Sequence, residues 1–154
     1  MSQNLNNNSE TIISHKYEIR IRYADTDKMG FAYNGNYLRF FEIGRTELMR
    51  HFDLVYAELE NNGIQLPLIQ AHCNYHNAAV YDDKLQIQAE LNLDTIGAKF
   101  RFNYTISRGD DLIATGFTEH LFMNADTKKA TRPPKFFIEQ INSLKKSLIN
   151  YKIY

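Results

Sequence analysis

From Tyr17 onward the chain alternates apolar and polar positions. Tyr17, Ile19, Ile21 and Tyr23 share one face, and Glu18, Arg20 and Arg22 share the other, the pattern of a half-buried strand. At Tyr37 the period lengthens. Tyr37, Phe40, Phe41, Gly44, Leu48 and Phe52 fall on one helical face, with Arg39, Glu47 and Arg50 opposite. Gly44 inside that apolar face lowers helix propensity by roughly 1 kcal/mol against alanine, which predicts a helix pressed closely onto a sheet. Asn62-Gly63 signals a turn, and four strand candidates follow at 64–79, 84–95, 98–108 and 112–124. Leu85, Ile87, Ala89, Leu91 and Leu93 alternate, as do Phe100, Phe102, Tyr104 and Ile106. Arg108-Gly109-Asp110-Asp111 predicts a tight turn between the last two strands. Pro133-Pro134 stops the sheet, and Phe137, Ile141, Leu144 and Leu148 mark a C-terminal amphipathic helix. Strand, long helix, four strands, helix is an α+β order, with the long helix laid across one face of a curved antiparallel sheet.

At 154 residues the chain is one domain by size. Residues 1–14 are polar and asparagine-rich and read as a disordered tail, leaving 15–154 as the folded unit. The formal net charge of zero offers no global attraction to nucleic acid or an acidic membrane surface. The lone Cys73 excludes an internal disulfide framework and fits a reducing compartment. No apolar run is long enough to span a bilayer, and the N-terminus has neither the basic start nor the apolar stretch of a secretory signal. The expected location is cytoplasmic.

The candidate chemistry lies between the first strand and the long helix, in YADTDKMGFAYNGNYLRFFEIGR from Tyr23 to Arg45. Asp25 and Asp27 follow the strand, then a glycine and an amide-rich turn enter the helix. A carboxylate near a helix N-terminus, where backbone N–H groups are unpaired, can act on a carbonyl that those groups polarise. The same residues can equally form a capped loop.

Asp25-Thr26-Asp27-Lys28-Met29-Gly30-Phe31-Ala32-Tyr33, then Asn36-Tyr37-Leu38 and Glu42…Arg45, resembles the signature of hotdog-fold acyl-CoA thioesterases. The type is that of 4-hydroxybenzoyl-CoA thioesterase, including the thioesterases associated with the Tol–Pal system. Tyr75…Ala79…Asp82-Asp83-Lys84-Leu85, Ala114-Thr115-Gly116…Thr118…His120 and Thr131-Arg132-Pro133-Pro134 resemble further family blocks in the same order. The resemblance implies a hotdog fold: a curved antiparallel five-stranded sheet wrapped around one long central helix, plus the C-terminal helix. It implies hydrolysis of acyl-CoA, with Asp27 as the catalytic carboxylate, acting as general base or nucleophile. It also implies the backbone N–H of Asn34, seven residues on, as the thioester-oxygen donor. Many relatives carry histidine there, so asparagine departs from the pattern while a backbone role survives. Coenzyme A is part of the substrate, and no other cofactor is implied.

Asp25 reads as turn chemistry. Tyr33 and Asn36 would shape the pocket, Asn36 as a helix cap. Glu42 and Arg45, three apart, read as a helical ion pair. Lys99, Lys128, Lys129 and Arg132 are the basic groups available to coenzyme A phosphates, or else solvated surface charge. No metal is expected: His72 and His76 on one strand would lie about 13 Å apart, too far to share an ion at bonds of about 2 Å. His120 reads as a packed residue and Asp82-Asp83 as a turn. By the resemblance the partner is a second copy of the chain, as homodimer or tetramer, with no nucleic acid and no membrane insertion. The same fold admits three other activities: an acyl-carrier-protein thioesterase, a non-catalytic acyl-CoA-binding protein, and a dehydratase, whose Asp–His motif is not evident here.

Overall fold

Pairing of the first strand begins before the clean alternation does. In the computed structural model, which describes residues 10–54 and 56–151, β1 runs Ile12–Arg20. Ile12, Ile13 and Ser14 pair with Asn92, Leu91 and Glu90, and Ile13 is buried. The expected tail therefore ends sooner, and residues 1–9 lie outside the described ones. The inward parity holds at Ile13, Ile19 and Ile21, but Tyr17 is exposed and Tyr23 is 75% exposed. Tyr23 stacks on Tyr81 at 3.8 Å between ring centroids, beyond the end of the strand.

The remaining elements are α1 (Asn36–His51), α2 (Tyr56–Asn61), β2 (Ile64–Gln65), β3 (Leu68–Tyr75), β4 (Lys84–Asn92), β5 (Lys99–Arg108), β6 (Asp111–Asn124), β7 (Ala130–Thr131) and α3 (Lys135–Tyr151). The sheet is antiparallel, in the order β1-β4-β5-β6, with β3 and β2 pairing successive parts of β6 and β7 adding to its C-terminal end. Five long strands carry the sheet, as the alternation predicts, and the two-residue strands extend it. The turn residues take the conformations that their types allow, with Gly63 and Gly109 at positive φ.

The α1 stripe of Tyr37, Phe40, Phe41, Gly44 and Leu48 is buried against the sheet. Phe41 stacks on Tyr104 of β5 at 4.3 Å. A Cβ on Gly44 would stand 2.6 Å from Ile87 Cγ2, so the close approach foreseen from Gly44 is present. Gly44→Ala gains roughly 1 kcal/mol of helix propensity but forces an overlap costing about 1–3 kcal/mol. We expect a melting temperature lowered by several degrees in differential scanning calorimetry; an unchanged value would mean that Ile87 yields without cost. At the far end of the sheet α3 seats Phe137 and Ile141, Phe137 edge-on to Phe122 at 5.4 Å. Among the described residues no helix is long and apolar enough to cross a membrane.

Candidate active site

The Asp25–Asn36 loop is knitted by its own backbone. Tyr33 N donates to Asp25 O (2.8 Å), Asp27 N to Phe31 O (2.8 Å) and Gly30 N to Asp27 O (3.0 Å). Phe31 bridges to Val80, and Ala32 N donates to Ala79 O (2.8 Å). A small antiparallel turn thus presents Asp27 beside the start of α1.

The two carboxylates have different surroundings. Asp25 is only 9% exposed. Its Oδ2 accepts Arg22 N–H (2.8 Å), its Oδ1 pairs with Arg39, and its carbonyl accepts the side-chain amide of Asn36 (2.8 Å). Every acceptor is committed, so Asp25 pins the helix start to the loop. Asp27 is half-buried, and its Oδ1 accepts Met29 N–H (2.9 Å) and Phe31 N–H (3.3 Å). Its Oδ2 has no partner among the described residues. A carboxylate held by one oxygen with the other open can take a proton or attack a carbonyl.

Gly35, not Asn36, occupies the N-cap position, with no side-chain cap. Asn36 is the first helical residue, and its amide is spent on Asp25, which corrects the expected capping role. Among the described residues the backbone N–H groups of Asn34 and Gly35 donate to no protein acceptor. The Asn34 carbonyl accepts the Tyr75 hydroxyl at 2.9 Å. Desolvation, with Cys73 adding to it, pushes Tyr75 up to about 12, so it stays a neutral donor. In a trans peptide the C=O and the following N–H point in opposite directions, so Tyr75 fixes the direction of Gly35 N–H. Neither Gly35 nor Tyr75 was singled out for this role by sequence reasoning; the tyrosine lies 41 residues away and only β3 brings it here. Tyr33 is exposed beside this opening, its ring alongside Gly35.

The basic candidates do not join this group within one chain. Lys99, exposed, pairs with Leu121 at the end of the sheet where Ile12 meets Asn92. Asp27 lies at the other end, where Arg20 meets Lys84, roughly 30 Å away along ten strand residues. Lys128 donates to Gln65 (3.1 Å), and exposed Lys129 and Arg132 flank β7 at that same distant end.

Glu42 and Arg45 do not form the expected ion pair: they are not within 4.0 Å, and Arg45 Nη1 is buried without a partner. Glu47 pairs with Arg50 instead. Arg45 faces a buried polar chain. His120 Nδ1 lies 3.3 Å from the Leu66 carbonyl, which can only accept, so Nδ1 carries the proton. Nε2 then accepts the Thr118 hydroxyl (3.0 Å), and Thr118 accepts the Tyr104 hydroxyl (2.5 Å). Burial, and then the charge of Arg45, lower His120 from 6.5 to about 4. His120 is a packed residue, as expected, and 3% exposed. Because its folded value is depressed, its neutral form is the one that folding favours. Stability is complete above pH 6.5 and falls by up to about 3 kcal/mol as pH drops toward 4. Urea titrations from pH 7.5 to 4.5 should show this loss in the wild type and a flatter profile in His120→Gln. Equal slopes would remove His120 as the source.

Among the described residues no three metal-ligating side chains converge. His72 contacts Asn74 and His76 contacts Thr115.

An antiparallel sheet laid over one long helix defines the hotdog fold. A model of the thioesterase-like superfamily matches residues 21–141, and the chain belongs to that family. A Bacillus subtilis protein assigned as the acyl-CoA thioesterase YneP is 28% identical over 123 residues, 79% of this chain and 88% of that one. The crystal structure of the DHNA-CoA thioesterase of Staphylococcus aureus is 30% identical and superposes with a TM-score of 0.79, covering 90% of this chain and 95% of that one. A 4-hydroxybenzoyl-CoA thioesterase in complex with 4-hydroxybenzoyl-CoA shares the fold at a TM-score of 0.73 and 22% identity, over 83% of this chain and 98% of that one.

Proposed function

We propose that this protein hydrolyses acyl-CoA thioesters to the free acid and coenzyme A, with Asp27 as the catalytic carboxylate. The observations that carry this reading are the open Oδ2 of Asp27 and the N–H groups of Asn34 and Gly35, unpaired among the described residues, in one loop at the start of α1. The carbonyl oxygen takes hydrogen bonds from those N–H groups, and charge developing on it strengthens them. Asp27 Oδ2 accepts the proton of an attacking water, and the tetrahedral intermediate collapses with loss of the thiolate, which leaves readily. If Oδ2 attacks instead, a mixed anhydride forms and water cleaves it. Label in Asp27 after a single turnover in ¹⁸O water identifies an anhydride cleaved at the Asp27 carbonyl carbon, because the general-base route leaves none there.

A second copy of the chain completes the site in this reading. Among the described residues β3 pairs with β6 on one side alone, and its residues are largely exposed. Leu68, Ile69 and Tyr75 lie exposed along it, with Phe31, Val80 and Leu38 also exposed near the site. An open edge flanked by apolar side chains favours strand addition. Antiparallel joining of two β3 strands would set the Lys128–Arg132 end of one chain against the Asp27 end of the other, where coenzyme A phosphates need cations.

Free-thiol release from a panel of acyl-CoA and matched acyl-carrier-protein thioesters tests the activity, and sedimentation equilibrium tests the dimer. Turnover of the CoA panel is expected. Tight acyl-CoA binding without turnover would overturn hydrolysis in favour of a binding protein.

A further inference from the structure

Beneath the second half of α1 lies a cavity of about 390 Å³, lined by Arg45, Thr46, Met49, Leu66, Phe102 and His120. It is separate from Asp27 within the chain: Asn34 to Arg45 spans eleven residues, roughly 16 Å of helix. Its walls combine apolar surface from Met49, Leu66 and Phe102 with one unanswered cation. Arg45 Nη1 is buried with no hydrogen-bond partner. The other charged groups at the cavity do not answer it. Arg50 is held by Glu47, and exposed Glu42 at the rim is not within 4.0 Å of the guanidinium.

His120 does not compete for an anion. Its Nδ1–H is given to Leu66 and its Nε2 to Thr118, so both ring nitrogens are occupied and the ring is neutral. The Tyr104 hydroxyl donates to Thr118, and its oxygen, which faces Arg45, is neutral and leaves the guanidinium charge unbalanced. A half-buried guanidinium with one buried, unpartnered N–H group and no counter-charge is costly, and such a group suits a carboxylate. The negative rim at Glu42 disfavours multiply charged anions such as phosphate.

From this arrangement we infer that the cavity binds an organic monocarboxylate, its acid group on Arg45 and its apolar body against Met49, Leu66 and Phe102. The carboxylate can come from a free acid or from the distal end of an acyl group carrying a second carboxyl. Binding of the free acid is independent of the hydrolytic reading; the second source rests on it.

Hexanoate is the probe, measured by isothermal titration on the full chain. Saturable binding at about 1 mM or tighter is expected, with hexanol at least tenfold weaker. Arg45→Met should lose at least tenfold and Arg45→Lys should keep part of the affinity. Asp27→Asn should bind hexanoate as the wild type does, whether or not the protein hydrolyses thioesters. Absence of saturable binding, equal binding of hexanol, or wild-type affinity in folded Arg45→Met would each overturn the site. Should Arg45→Met fail to fold, the hexanoate-to-hexanol comparison decides. The ratio of hexadecanedioyl-CoA to hexadecanoyl-CoA turnover assigns the source, since only a long acyl chain spans the roughly 16 Å from the start of α1 to Arg45. A ratio that falls in Arg45→Met or Arg45→Lys identifies the distal carboxylate, and an unchanged ratio identifies the free acid.

Discussion

Asp27→Asn is expected to lower kcat for thioester hydrolysis by about 10²–10⁴-fold, the range for removal of a positioned acid or base, with the fold intact. The substitution is clean because the two carboxylate oxygens have separate duties. Oδ1 holds the turn through Met29 and Phe31 N–H, and an asparagine carbonyl oxygen can keep both bonds. The amide nitrogen then replaces Oδ2, which has no structural partner, so charge and basicity disappear while the geometry remains. Initial-rate kinetics on the best substrate of the panel, with circular dichroism and thermal melts on the same samples, provide the check. Activity within a few-fold of wild type would sink the role of Asp27. Asp25→Asn is a useful contrast: it weakens the Arg39 pair and the bond from Arg22 N–H, so its effect should track lost stability. A collapse of kcat in a stable Asp25→Asn protein would mean that the wrong acid of the pair has been chosen.

How far the sequence carried this picture depended on the range of each interaction. The α1 face, the β4 and β5 alternation and the turn glycines are set by neighbours a few residues away, and the structure agrees with them almost position by position. Ile12–Ser14 escaped because a short apolar pair beside an asparagine-rich run looks like tail; partners 76–80 residues away hold it in the sheet. The six-residue α2 is too short and polar to show a period. At the site, Asp25 as a turn residue was legible in the sequence and matches its bonds to Arg22 and Asn36, while the role proposed for Asp27 rests on family likeness. The commitments of individual side chains were not. Asn36 faces Asp25 instead of capping α1, and Arg45 turns from Glu42 toward Tyr104 and His120. Spacing on a helix makes an ion pair possible, but burial of one partner and hydration of the other decide whether it forms. Lys99, Lys128 and Arg132 were grouped with the site by charge alone, and within one chain the sheet length separates them from Asp27.

The same contrast between local pattern and tertiary contact makes Gly116 a position where a single methyl group should be costly. In the sequence Gly116 interrupts β6, where glycine weakens a strand and marks a close approach. The structure supplies the reason. Gly116 pairs with Cys73 on β3 and Tyr104 on β5. A Cβ there would overlap the His72 carbonyl oxygen and stand 2.7 Å from the Phe41 ring. Neither neighbour can yield freely: the carbonyl belongs to the backbone of β3, and Phe41 is clamped against Tyr104. Overpacking alone costs about 1–3 kcal/mol. Displacing β3 also strains its ladder on β6 and the Tyr75 bond that orients the Asn34 peptide. We expect Gly116→Ala to lose more than about 3 kcal/mol, which for a domain of this size lowers the melting temperature by roughly 10 °C. It should also lose activity out of proportion to its folded fraction, because the β3 edge and the N–H groups proposed as oxyanion donors shift together. Thermal melts and kcat on the remaining folded protein measure both effects. A melting temperature within about 3 °C of wild type would mean that β3 can move aside at little cost, and that the close contact at Gly116 is not what holds this edge in register.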